Sequence, residues 1–113
     1  MDCIFCKIAN KEMDSNIVFE DEDFVVFKDI NPVADVHLLI IPKMHIESLM
    51  EIDKLDASKV KNMFNIINKM AEDFGISTEG FRVVTNIGES ACQSVKHLHF
   101  HIIGGRKFGW PPG

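Results

Sequence analysis

The sequence predicts an α+β fold, an antiparallel sheet of about five strands carrying one long helix. Three observations support it. Short β-branched or aromatic runs occupy residues 16–20, 23–29, 36–41, 81–86 and 98–103. One amphipathic stretch, residues 56–74, lies between the third and fourth of these runs. From His97 to Ile103, histidine alternates strictly with large apolar residues, the period of a strand.

Each element has its own local warrant. Residues 1–9 carry Ile4, Phe5 and Ile8 at the spacing of a short helical turn. The runs 16–20 and 23–29 are joined by the acidic turn Glu20-Asp21-Glu22-Asp23 and read as a hairpin, with Asn31-Pro32 breaking the second strand. This turn is expected to be solvated. The third strand is stopped by Pro42, and Lys43 is expected to solvate its end. In the helix, Ala57, Val60, Phe64, Ile67, Met70, Ala71 and Phe74 form the expected core face. Asp56 can cap its start, Leu55 and Val60 can form a hydrophobic staple, and Gly75 suits the left-handed position after its last turn. Met44, Met50, Met63 and Met70 read as gap-fillers.

The 113 residues suit one domain, 1–113. A net charge of −5 with no basic stripe argues against long nucleic acid, whose binding requires many neutralised phosphates, but leaves single nucleotides open. No apolar stretch approaches the ~20 residues that span a bilayer, and no signal-peptide pattern opens the chain, so no membrane partner and a cytoplasmic location are expected. Two of the three cysteines form Cys3-Ile4-Phe5-Cys6, a spacing that in a reducing compartment suggests metal ligation or redox chemistry more than a structural disulfide.

Three of the five histidines, His97, His99 and His101, should share one sheet face, with Leu98, Phe100 and Ile102 on the other. At ~3.3 Å per residue the outer two are ~13 Å apart, too far for all three to hold one ion. The bland reading, satisfied half-buried histidines, is costly for three adjacent groups that titrate near neutrality unless their coupled charges are used. The chemical reading divides labour: one neutral imidazole attacks phosphorus while another stabilises the anionic oxygens. The preceding loop, Asn86 to Val95, carries glycine, small residues and the donors Gln93 and Ser94, suited to phosphate.

These segments resemble the histidine-triad (HIT) family, and more narrowly its Hint branch of nucleotide-binding proteins. The resemblance rests on His97-x-His99-x-His101, Gln93-Ser94-Val95 and the upstream His37-Leu38-Leu39-Ile40-Ile41-Pro42-Lys43. It extends from Ile4-Phe5-Cys6-Lys7-Ile8 through Phe27-Lys28-Asp29-Ile30-Asn31-Pro32 to Gly105-Arg106 and Trp110-Pro111-Pro112-Gly113. It implies a HIT-like homodimer whose two sheets join into one, binding purine nucleoside monophosphates such as AMP and GMP. It also implies hydrolysis of nucleoside phosphoramidates and related adenylates, with no catalytic cofactor. By position, His99 would be the nucleophile, His101 would bind the phosphate and assist the leaving group with Ser94 nearby, and His97 and His37 would orient the row. Asp29 would bind the ribose hydroxyls, Phe27 and Ile30 the base, and Asn86 and Gln93 the phosphate, while Trp110 would approach the neighbouring subunit's site.

Two departures stand out. Ala91-Cys92-Gln93-Ser94 replaces the Gly-Gly-Gln-Ser of many Hint proteins, which places Cys92 beside the phosphate and strains it if that position needs positive φ. Cys3-x-x-Cys6 resembles zinc-binding relatives in the wider superfamily, where a histidine after the Pro-Lys turn and the first triad histidine complete the set. Here Cys3, Cys6, His45 and His97 would hold a structural zinc that pins the N-terminus without doing chemistry. Reduced, unliganded cysteines are the alternative, and a thioredoxin-like role lacks the preceding strand. Functionally, a phosphoramidate hydrolase stands beside two alternatives, a nucleotide-binding regulatory or adaptor module with incidental hydrolysis and a metal-dependent hydrolase.

Overall fold

The computed structural model describes residues 3–113; the first two residues of the expected N-terminal turn lie outside the described residues. The chain runs α1 (Ile4–Ala9), β1 (Ile17–Glu20), β2 (Phe24–Lys28), β3 (Val36–Pro42), a 3₁₀ segment (Leu49–Lys54), α2 (Ala57–Asp73), β4 (Phe81–Val84), a 3₁₀ turn (Glu89–Ala91) and β5 (Phe100–Gly104). The five strands form one antiparallel sheet in the order β1-β2-β3-β5-β4. Both 3₁₀ segments lie where hydrophobic periodicity carried no signal.

The sheet is covered on both faces, not on one. Phe24, Val26, Leu38, Ile40, Leu98, Phe100 and Ile102 pack against Met63, Ile66, Ile67, Met70 and Ala71 of α2. The alternate residues Val25, Phe27, Leu39 and Ile41 pack beneath Cys3, Phe5, Ile8 and Ala9 of α1 and its flank. Period-2 alternation explains why β2 and β3 read as continuous apolar runs: both of their faces are buried. No helix among the described residues is long and apolar enough to cross a membrane.

Several local expectations change. The buried stripe of α2 runs through Met63 and Ile66, while Ala57 and nearly half of Phe64 face solvent. Asp56 occupies the N-cap position, but its side chain makes no capping hydrogen bond; Leu55 is buried with Val60 packed on the same core. Of the four methionines, Met63 and Met70 fill the core, whereas Met50 and Met44 are exposed. The acidic turn is cross-linked, not merely solvated. Glu20 pairs with Lys11 and Lys43, Asp23 pairs with Lys59, and Asp21 accepts from Asn62 on α2 and from two turn amides.

Gly75 has the expected positive φ of 74°. Gly104, at the end of β5, serves close approach, since an added Cβ there would lie 2.8 Å from Ile76. β4 and β5 are shorter than the sequence suggests. Leu98 N–H turns to the Ile46 carbonyl (2.7 Å), and the His99 carbonyl accepts from the Thr85 hydroxyl (2.8 Å), so residues 97–99 leave the regular ladder. His101 alone of the triad lies in β5, opposite Leu39.

Candidate active site and metal centre

The three triad histidines still share the α1 side of the sheet. Phe5, inside the Cys-x-x-Cys segment, meets His97 and His99 edge-on, with centroids 6.0 and 5.1 Å away. His99 and His101 are 5.2 Å apart, also edge to face. Leu98, Phe100 and Ile102 point into the α2 core, so the alternation survives the loss of ladder bonds.

The partners of each ring determine its tautomer. His99 Nδ1 lies 2.8 Å from the His97 carbonyl, an acceptor, so Nδ1 carries the proton. Its Nε2 therefore holds a free lone pair, as a nucleophile requires. On the other side, the Val33 backbone N–H donates to His37 Nδ1 (3.2 Å). Neutral His37 must then be protonated at Nε2, which faces His101 Nδ1 at 2.9 Å and Asp29 Oδ2 at 3.3 Å. His101 accepts at Nδ1 and presents Nε2–H as a donor. Burial, then the neighbouring His99 and His37, push the His101 pKa down to about 4 against the pull of Asp29. Burial likewise lowers His37, with Asp29 opposing. Burial thus favours the neutral form of His37 and His101, and hydrogen bonding divides their roles.

A cleft of about 350 Å³ opens beside these groups. Its walls include Phe27, Asp29, Ile30, Ser94, His99 and His101, all named from the sequence. Ile4, Phe5, Ile8, Lys28, Asn31, Leu39, Val95 and the loop residues Met13, Asp14 and Ser15 complete it. That loop showed no signal because nothing in its composition distinguishes a cleft wall from an ordinary turn. His97 and His37 are not among its walls.

Other expected binding residues lie elsewhere. Gln93 accepts from the Gly88 N–H (2.8 Å) and donates to the Glu47 (2.6 Å) and Val95 (3.1 Å) carbonyls, so its amide organises the loop. Asn86 and Cys92 are not among the cleft walls, and Trp110 is 84% exposed at the tail. Cys92 has φ +65°, ψ +38°, the left-handed conformation where glycine is at ease and a side chain costs roughly 1–2 kcal/mol.

Behind the triad, four soft or borderline donors converge. His97 is fully buried, and its Nδ1 lies 3.3 Å from Cys3 Sγ, 3.5 Å from Cys6 Sγ and 3.2 Å from His45 Nδ1. Cys6 Sγ lies 3.2 Å from His45 Nδ1, and all four donor atoms fall within 4.8 Å of one another. A tetrahedral zinc, at about 2.0–2.1 Å from nitrogen and 2.3 Å from sulfur, spaces its ligands roughly 3.3–3.8 Å apart. The donors therefore fit the ion in type and nearly in spacing. His97 Nε2–H donates to the Pro42 carbonyl (2.7 Å), the outer partner that fixes a metal-binding imidazole. Without a metal, burial and the Cys3 side chain push the Cys6 thiol up to about 11, a proton that zinc would have to displace.

A family model described as scavenger mRNA decapping enzyme C-terminal binding matches residues 2–108. A 14 kDa zinc-binding protein of Zea mays is 42% identical over 112 residues, covering 97% of this chain and 87% of the relative. Adenylylsulfatase HINT1 of Arabidopsis thaliana is 42% identical over 113 residues, covering 97% of this chain and 76% of the relative.

The chain belongs to the histidine-triad family.

Within it, the relative named HINT1 marks the Hint branch. A solved HIT family hydrolase from Legionella pneumophila superposes with a TM-score of 0.95 at 42% identity, over 99% of this chain and 100% of that one. The histidine-triad fold thus accounts for the antiparallel sheet.

Proposed function

We propose that this histidine-triad protein hydrolyses purine nucleoside phosphoramidates and related adenylates through a nucleotidyl-His99 intermediate. The observation that carries the reading is the His99 tautomer: Nδ1–H is tied to the His97 carbonyl, which leaves Nε2 bare at the cleft. Asp29 accepts the ribose hydroxyls, while Phe27 and exposed Ile30 flank the base. His101 Nε2–H binds the non-bridging phosphate oxygens.

His99 Nε2 attacks phosphorus, the P–N bond breaks, and the amine leaves with a proton drawn from water across the Ser94 hydroxyl. The ring becomes cationic as it bonds phosphorus, and the His97 carbonyl stabilises that charge through Nδ1–H. Water then attacks phosphorus and the P–Nε2 bond breaks. The nucleotide keeps the oxygen, and one proton returns to solvent. No metal takes part in these steps. The Arabidopsis relative's name, adenylylsulfatase, supports adenylyl chemistry with a different leaving group at the same phosphorus.

Trp110 at 84% exposure supports a homodimer in which the tail crosses to a second copy. The tail is held to its own subunit at Phe108, whose ring centroid lies 5.0 Å from the Arg82 guanidinium and 4.4 Å from that of Arg106.

The test is acid quench after mixing with adenosine 5′-phosphoramidate, followed by mass measurement. An adenylyl adduct on His99 is expected. His99→Ala should lose turnover by roughly 10⁴-fold or more while still binding AMP. Normal turnover in that variant would end the proposal.

A further inference from the structure

We infer that Asp14 gives the nucleotide cleft a preference for guanine over adenine. The inference rests on the nucleotide reading of that cleft and names the base it takes. Backbone pairing places the residue. The ladder between β1 and β2 runs one bond past the start of β1, where the Lys28 N–H donates to the Asn16 carbonyl at 3.0 Å. In an antiparallel pair, the residues before Asn16 then run beside those after Lys28. Asp14 and Ser15 therefore flank Asp29 and Ile30, and all four line the cleft of about 350 Å³.

The cleft thus has two carboxylates in its walls, and one of them is already committed. Asp29 Oδ1 accepts from the Asn31 N–H at 2.8 Å, and its Oδ2 lies 3.3 Å from His37 Nε2. Those bonds tie Asp29 to the triad side, where the ribose sits in the proposed reaction. Asp14 is exposed, and among the described residues its carboxylate pairs with no Lys, Arg or His. With phosphate at His101 and ribose at Asp29, the base extends away from the triad, past Phe27 and Ile30, toward the loop that carries Asp14.

An ionised carboxylate can only accept hydrogen bonds. Guanine presents N1–H and its 2-amino group side by side, two donors matched to the two carboxylate oxygens. Adenine has a lone pair at N1, which a carboxylate repels, and no 2-amino group. Ser15 and Asn31, the other polar side chains at this end of the cleft, can each donate or accept, so they serve either purine. Discrimination therefore falls to Asp14. A good bidentate pair separates bases by roughly 5–100-fold. Water around the exposed Asp14 places the expected ratio at about 10-fold.

The test measures binding of GMP, IMP and AMP to the full chain by calorimetry. GMP should bind about 10-fold tighter than AMP, with IMP, which keeps N1–H but lacks the 2-amino group, between them. Asp14→Ala should bring the ratio near one through weaker GMP binding; the position lies outside every helix and strand. Asp14→Asn supplies a donor for adenine N1 while its carbonyl accepts from the 6-amino group, so AMP should gain on GMP further. Equal binding of GMP and AMP by the wild type overturns the inference, as does a ratio that survives both substitutions. A loss shared equally by both nucleotides in Asp14→Ala would mark a purely structural loop residue and overturns it as well. These readouts need no turnover, so a failed hydrolase reading and a failed base preference remain distinguishable. Binding of no purine nucleotide overturns the nucleotide reading and the inference with it.

Discussion

Two histidine clusters flank His99, and their contrast shows how neighbours assign work to one residue type. In the first, His97 and His45 meet two thiols in the interior, with His97 fully buried and donor atoms 3.2–3.5 Å apart where nitrogen is one partner. In the second, at the edge of the cleft, His37 Nε2 meets His101 Nδ1 at 2.9 Å and the Asp29 carboxylate at 3.3 Å. Thiols and imidazoles converging with lone pairs inward suit a borderline-soft cation. His37 accepts from Val33 N–H and donates to His101, which keeps Nε2–H as a donor, an arrangement that suits proton donation. The first cluster is built to hold still. The second is built to present one donor, His101 Nε2–H.

The contrast breaks most visibly if the two clusters respond alike to truncation. Cys3→Ala should lower stability by several kcal/mol and make the remainder insensitive to chelator, since a ligand's binding energy is also folding energy. His101→Ala should leave melting within about 1–2 kcal/mol of wild type while lowering kcat by roughly 10²–10⁴-fold. Thermal melts and steady-state rates, measured on both variants, separate the roles; a His101→Ala chain that melts like Cys3→Ala would erase the distinction.

A smaller effect sharpens the second cluster alone. His101 is held at about 4 in the fold, against an unfolded value of about 6.5. The unfolded chain takes up this proton as pH falls through about 6.5, and the folded chain does so only near 4. Stability should therefore decline as pH drops across that window and level off below it. Denaturant melts of wild type and His101→Gln between pH 7 and 4 isolate the contribution, as the variant lacks that part of the slope. Equal slopes would mean that the ring takes up its proton alike in the folded and unfolded chain.

The smallest effect lies outside both clusters and serves as a control. Cys92 is held at φ +65°, so Cys92→Gly should stabilise by about 0.5–1 kcal/mol, the relief of a left-handed side chain less the added freedom of the unfolded chain. Its melting point should rise while chelator sensitivity and the His101 pH slope stay unchanged.

Much of the fold was legible because period and punctuation are local. Pro42 marks the last residue of β3, Gly75 follows α2 with positive φ, and the strand runs fall in the expected places. Misses came where the deciding partner is remote in sequence. The turn at Glu20–Asp23 reads as solvated, yet the fold brings Lys11, Lys43, Lys59 and Asn62 to it. Gln93, whose amide the sequence offers as a phosphate donor, bonds the Glu47 carbonyl, 46 residues away, and that of Val95.

From the order of residues alone came the chemical inventory: alternating histidines with an apolar reverse face, a Cys-x-x-Cys pair, a β-rich chain with one long helix. Tertiary structure decided which nitrogen of each ring carries a proton. Alternation puts rings on a common side, but a tautomer depends on what lies within about 3 Å of each nitrogen. For His97 that is Pro42, 55 residues away, and for His37 it is His101, 64 residues away. Only the folded chain brings such pairs together.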